Sequence, residues 1–253
     1  MMLALPALRR ASGLLRTAGG RTVEIVKEVS MSLRIGWSLL GAASGLLASV
    51  ATASAASPSF DCSKASSRSE KMICANPQLA TLDQQISVRF QALLAELGGP
   101  AAERLRQDQK WFIAERDDPE AVAPTVRYLA DTLRYRLKFL NTVRPSVPAG
   151  IVGTWRNLAG AIVIRRSPSG TLNFEANAAE PTTGRWVCEA QGRAKQAAQS
   201  TWNVVIDDPD TASIALMLEG PLLTVTESPM PPEYCGLNGS LSGAYFPVAD
   251  EAR

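Results

Sequence analysis

The sequence predicts an α+β protein in two domains: an N-terminal antiparallel helical bundle with a disulfide staple, followed by a C-terminal antiparallel β barrel or sandwich. Three observations lead there. Between Leu79 and Leu140 apolar residues recur every three or four positions, the period of helices with one buried face. After the stretch "PSVPAG" at residues 145–150, that period gives way to short runs separated by Gly, Pro, Asn, Asp or Ser, as in strands joined by tight turns. Finally, the four cysteines, Cys62, Cys74, Cys188 and Cys235, all follow a secretory-type leader, so disulfides are the default expectation.

The leader begins at Met31. Arg34, an apolar run from Ile35 to about Val50, and the small-x-small triplet Ala53-Ser54-Ala55 read as a signal peptide over residues 31–55, with cleavage after Ala55. Ser38, Ser44, Ser49 and Ser54 make the run weakly apolar for a membrane span of about 20 residues. Residues 1–30 precede a complete signal peptide. Lys27-Glu28-Val29 can be encoded as a ribosome-binding sequence just ahead of the Met31 codon, so these residues read as a mis-called upstream extension. The expected organisation is therefore a helical domain at 56–145, a linker at 146–150 and a β domain at 151–253.

The charge of the whole chain, +2, is set by its leader. Residues 1–55 hold six lysines or arginines and two acids, leaving 20 basic and 22 acidic side chains beyond them. That near-neutral balance carries no nucleic-acid footprint. Residues 146–253 form the acidic half, with 7 basic and 11 acidic side chains. Of the three possible cysteine pairings, Cys62–Cys74 with Cys188–Cys235 is favoured because each bridge closes a loop within one half. Chain entropy assigns these loops about 3 and about 4 kcal/mol.

In chain order, Ser67-x-x-Glu70 is a capping-box pattern opening a short helix through Met72 and Ile73. Asn76-Pro77 supplies the cap and first-turn proline of the next helix, whose stripe is Leu79, Leu82, Ile86, Phe90, Leu93 and Leu97 before Gly98-Gly99 stop it. Pro100 opens another helix with Leu105, Phe112 and Ile113 expected inward and Trp111 beside them. Val126, Leu129, Leu133, Leu137 and Leu140 mark the last helix. Short connections between them favour an antiparallel bundle.

The pieces "DCSKASSRSEKMICANPQLATLD", "LRQDQKWFIAERD" and Arg136-Leu137 with Leu140 resemble the N-terminal domain family of the LprI lysozyme inhibitors over about residues 60–141. The family pattern runs D-C, E-x-x-I-C, L-x-x-L-D, Q-x-x-W-x-x-x-R-D and R-[IL]-x-x-L. The chain departs from it in lacking a further cysteine pair between Asp118 and Tyr128. Within these motifs Asp83, Asp108, Gln109, Trp111 and Arg116 are a polar set that either faces a ligand or holds the helices together, with Trp111 packed and Arg116 paired to an acid.

Eight runs follow the linker: "GTWRN", "AIVIRR", "TLNFEA", "RWVCEA", "TWNVVID", "SIALML", "LLTVTE" and "SLSGAYF". They suggest a meander closed into a small barrel or stacked as a sandwich. Trp155, Ile162, Ile164, Phe174, Trp186, Val205, Ile214, Leu216 and Leu223 are the expected core. Ser242-Gly243-Ala244-Tyr245 resembles, one residue short, the Ser-Gly-Ala-x-Tyr loop of the membrane-bound inhibitors of c-type lysozyme. Read on its own it is a glycine-kinked terminal strand.

Histidine is absent from the sequence, which removes Ser-His-Asp and Cys-His catalysis and the usual zinc ligand sets. Asp117-Asp118 and Asp207-Asp208 sit in proline-containing turns where solvated acids are ordinary. Asp207-Asp208-Pro209-Asp210 lacks the glycine turn and terminal glutamate of a calcium loop. The expectation is a periplasmic or secreted binding protein and not an enzyme, with no cofactor, no metal, no nucleic acid and no stable membrane span after processing. Its expected partner is a lysozyme or another envelope protein, with Ser240, Ser242 and Tyr245 as target-binding residues. The alternative is an envelope structural or stress-response module that binds a cell-wall component or envelope protein.

Overall fold

The structure is a computed structural model that describes residues 57–118, 124–146, 148–181, 183–207, 213–228 and 232–249. The upstream extension, the signal peptide, its cleavage site and Asp208 to Asp210 lie outside the described residues. A 3₁₀ turn, Cys62–Lys64, leads into α1 (Arg68–Ala75), α2 (Pro77–Leu97), α3 (Gly99–Arg116) and α4 (Val126–Thr142). The expected capping box is formed: Ser67 Oγ accepts from the Glu70 amide and the Glu70 carboxylate accepts from the Ser67 amide. Asn76 Oδ1 accepts from the amides of Gln78 and Leu79, which fixes the start of α2. The Cys62–Cys74 bridge ties the 3₁₀ turn to α1, a helix of 8 residues that would not be stable alone.

Gly98 serves both as C-cap of α2 and N-cap of α3 with φ 62°, a left-handed conformation open to glycine. The third helix consequently opens at Gly99, one residue before the expected Pro100. Leu79, Ile86, Leu93, Leu105, Phe112, Leu129, Leu133 and Leu140 are buried together. Two expected members are not: Ile113 is 41% exposed and Val126 45% exposed. Ile113 directly follows the inward Phe112 and so points off the buried stripe, while Val126 occupies the first turn of α4, beyond the reach of its neighbours.

The eight runs form eight antiparallel strands in a closed up-and-down barrel: β1 (Gly153–Arg156), β2 (Gly160–Arg166), β3 (Leu172–Ala179), β4 (Val187–Ala198), β5 (Thr201–Ile206), β6 (Ser213–Glu219), β7 (Leu222–Ser228) and β8 (Gly243–Val248). Pairing of β1 with β8, from Thr154↔Val248 to Arg156↔Phe246, closes the ring and leaves no sheet edge open. The interior is filled by Trp155, Ile162, Ile164, Phe174, Trp202, Ile214, Leu216, Leu223 and Tyr245, with alanines on β3 and β4. Val205 was expected there and is instead 46% exposed, because Trp202 and Val204 set the inward parity of β5 and send Val205 outward. Trp186 is only partly buried, packed against the core from the loop before β4.

Helices and barrel share a second core. Phe246 and Val248 of β8 and Leu222 of β7 point out of the barrel into the cluster that holds Leu133, Phe139, Leu140 and Val143. Phe139 and Phe246 meet edge to face with ring centroids 6.3 Å apart. Where the chain leaves α4, Val143 bridges Val248, the Arg144 amide donates to the Pro247 carbonyl at 2.8 Å, and the Ala249 amide donates to the Thr142 carbonyl at 2.9 Å. The end of β8 is thus covered on both faces, which is why Tyr245 to Val248 are all buried with no alternation.

Candidate functional site

The loop between β7 and β8 is built around one carboxylate. Glu227 stands at an inward position of β7, in parity with Leu223 and Val225, and is 9% exposed at the end of the barrel. It accepts from Tyr234 Oη at 2.7 Å, from the Ser242 amide and Ser242 Oγ at 2.8 Å each, and from Ser240 Oγ. Burial pushes the Glu227 carboxyl up, but the hydrogen bonds from Ser240, Tyr234, Ser242 and the Leu241–Ser242 peptide outweigh it and hold the group below its ordinary value. Burial, and then the hydrogen bond to the same carboxylate, push the Tyr234 phenol well above its usual range. Glu227 is the residue that sequence reasoning missed; its parity in "LLTVTE" was the available signal.

The loop is also pinned covalently. Cys188–Cys235 joins the start of β4 to it, the Glu189 amide donates to the Tyr234 carbonyl, and the Gly236 amide donates to the Val187 carbonyl. A Cβ on Gly239 would lie 3.0 Å from Cys188 Sγ and from Cys235 Cβ, so a side chain there would require the bridge or the loop to give by a few tenths of an ångström. At the tip Leu237 is 81% exposed beside Asn238, whose φ is 65°.

The three expected target-binding residues are brought together but differ in access. Ser242 is exposed. Ser240 is half-buried and its hydroxyl is committed to Glu227. Tyr245 is 1% exposed, and its hydroxyl donates to the Leu241 carbonyl at 2.8 Å inside the barrel. Burial raises the Tyr245 phenol, with a hydrogen bond from Asn157 opposing it. In this geometry Tyr245 shapes the loop from below and has no surface to offer a partner.

The polar motif residues of the helices form two buried clusters. Asp83 accepts from the Ser59 amide at 2.7 Å and from Ser59 Oγ at 2.6 Å, and it lies 3.7 Å from Arg116 Nη1. Arg116 also grips Asp117 through two hydrogen bonds of 2.8 Å, and its carbonyl accepts from Ser69 Oγ. In the second cluster Arg136, 1% exposed, donates through Nη1 to Asp108 at 2.5 Å and through Nε to Gln109 at 2.9 Å. The other oxygen of Asp108 accepts from the Leu158 amide at 2.9 Å, which ties α3 to the β1–β2 turn. Trp111 Nε1 donates to Glu115. Most of this set therefore holds elements together. Among the described residues no group of three or more His, Cys, Asp or Glu is placed to hold a metal ion, and no helix is long and apolar enough to cross a membrane.

Together these features define a disulfide-stapled helical unit set against the outer face of a closed eight-stranded barrel, with a pinned loop at one barrel end. Residues 62–161 match the family model described as Lysozyme inhibitor LprI, so this segment is LprI-like, as its motifs suggested. The match runs past the helices through β1 to the first residues of β2, taking in Leu158, the partner of Asp108. No curated protein and no solved structure matches the chain.

Proposed function

We propose that the protein acts outside the cytoplasm by binding a protein partner, with a lysozyme as the partner best supported, and that it performs no catalysis of its own. The observation that carries this reading is the match of residues 62–161 to the lysozyme-inhibitor family. Two disulfides and no free cysteine among the described residues suit an oxidising compartment, in line with the leader read at residues 31–55. The contact surface we assign is the loop from Gly236 to Ser242. Leu237 and Ser242 stand at its surface, while Ser240, Tyr245 and Glu227 hold it in shape, so that little entropy is lost on docking. The acidic balance of residues 146–253 would speed encounter with a cationic enzyme.

The test is lysozyme-catalysed lysis of a cell-wall suspension titrated with the full chain. Inhibition should weaken with salt, and it should weaken by about tenfold or more in Leu237→Asp if that residue is a buried hot spot of the complex. Absence of inhibition at high micromolar concentration would refute the lysozyme reading and put the envelope-module alternative in front.

A further inference from the structure

The helices and one end of the barrel enclose a cleft of about 740 Å³, a size that suits a small ligand. Tyr128, Asp131 and Tyr135 line it from α4, Asp117 and Asp118 from the end of α3, and Asn157 and Glu180 from the barrel loops. Its floor includes Arg136, whose guanidinium sits between the rings of Phe112 and Phe139, each centroid 5.1 Å from Cζ. Nε and Nη1 are taken by Gln109 and Asp108, but Nη2 is buried with no hydrogen-bond partner among the described residues. A buried donor on a charged group left without an acceptor is rare in native proteins and asks for a missing one.

We propose that this cleft binds a small zwitterion, an α-amino acid or the carboxyl end of a peptide carrying a positive charge, with its carboxylate on Arg136. A guanidinium amino group is matched by a carboxylate oxygen, which it holds by a charge-assisted bond. A bare anion does not fit the rest of the site. The lining carries five carboxylates against three arginines; Arg116 is engaged by Asp83 and Asp117, and Asp131 pairs with Arg134 at 2.8 Å, which leaves one carboxylate in excess once Arg134 is counted. That surplus disfavours an unaccompanied negative charge and favours an ammonium group behind the carboxylate. Tyr128, 50% exposed, offers a ring face at the rim for the same cation; the Tyr135 ring already faces Arg156. Phe112 and Phe139, both buried, cover the guanidinium from either side, so a carboxylate oxygen reaches Nη2 only when these rings shift.

Calorimetric titration of the full chain tests this with four probes: lysine, the dipeptide lysyl-alanine, its C-terminal amide, and acetate. Lysine or the dipeptide should saturate the site, and whichever binds more tightly identifies a free amino acid or a peptide end as the source. The amide should bind at least about tenfold more weakly than the dipeptide, for loss of one charge-assisted pair. Arg136→Lys, which keeps the charge and removes the second amino group, should show a comparable loss. Should that variant fold poorly, Asp131→Asn at the exposed rim should weaken dipeptide binding severalfold with an unchanged melting temperature. Equal binding of dipeptide and amide, acetate binding as tightly as either zwitterion, or no saturation by lysine or dipeptide at about 10 mM would overturn the proposal.

Discussion

Replacing Glu227 by Gln isolates the charge that organises the β7–β8 loop. The carboxylate accepts four hydrogen bonds, three of them on Oε2 from Ser240 and Ser242 and one on Oε1 from Tyr234. In Glu227→Gln the amide oxygen can keep the three, while the new amino group faces Tyr234, whose hydroxyl must turn to accept. Hydrogen bonds to a charged group are worth roughly 1.5–3 kcal/mol and neutral ones about half as much, so four weakened bonds set a gross loss of several kcal/mol. Relief from burying a charge offsets part of it, leaving about 2 kcal/mol, or about 5 °C in melting temperature for a chain of this size. The pH dependence carries the diagnosis. Because the folded carboxyl titrates below its ordinary value of 4.5, its contribution is complete above that value and fades as pH falls through the folded one. Urea denaturation of wild type and Glu227→Gln, followed by tryptophan fluorescence at pH 7, 5 and 3, should show the widest gap at pH 7 and a narrower one at pH 3. A gap that is constant with pH, or that widens in acid, would refute the argument.

Four further outcomes follow from the same geometry. Phe246→Ala should cost about 3–5 kcal/mol by opening a void between Phe139 and the barrel, measured by denaturant unfolding. Protease cleavage within the 146–150 connector, the boundary we propose between the helical and β segments, should leave the two pieces associated on size exclusion because Val143 and Arg144 still pair with β8. Arg116→Ala should cost about 3–5 kcal/mol, since it leaves Asp83 buried without its cation, and Asp83→Asn combined with it should recover part of the loss in a double-mutant cycle. Opening Cys188–Cys235 by a paired substitution to Ala should cost about 4 kcal/mol, and alkylation without reduction should leave the mass of the wild-type protein unchanged.

Much of the local structure was determined by the sequence by itself. The capping box at Ser67, the Asn76-Pro77 start and the Gly98 stop act through the backbone within a few residues, and each does in the fold what its type requires. The eight strand-like runs became eight strands because turn residues and alternation are local signals too. Both disulfides joined cysteines within one half, as loop closure favours. Contacts across the chain decided the rest. Periodicity showed that β5 has two faces, but Val205 was assigned the wrong one, since only packing of Trp202 inside a closed barrel fixes the parity. Phe246 and Val248 were not recognisable as core, because their partners are helical residues more than one hundred positions away. The hydroxyls of Ser240 and Tyr245 looked available in a glycine-flanked loop; a buried carboxylate on the neighbouring strand and a carbonyl four residues away had already claimed them. The Asp108–Arg136 pair, likewise, shows its orphaned nitrogen only once α3, α4 and the β1–β2 turn are folded around it. Local rules set which elements form, whereas the satisfaction of buried polar groups depends on distant partners and so belongs to the tertiary structure.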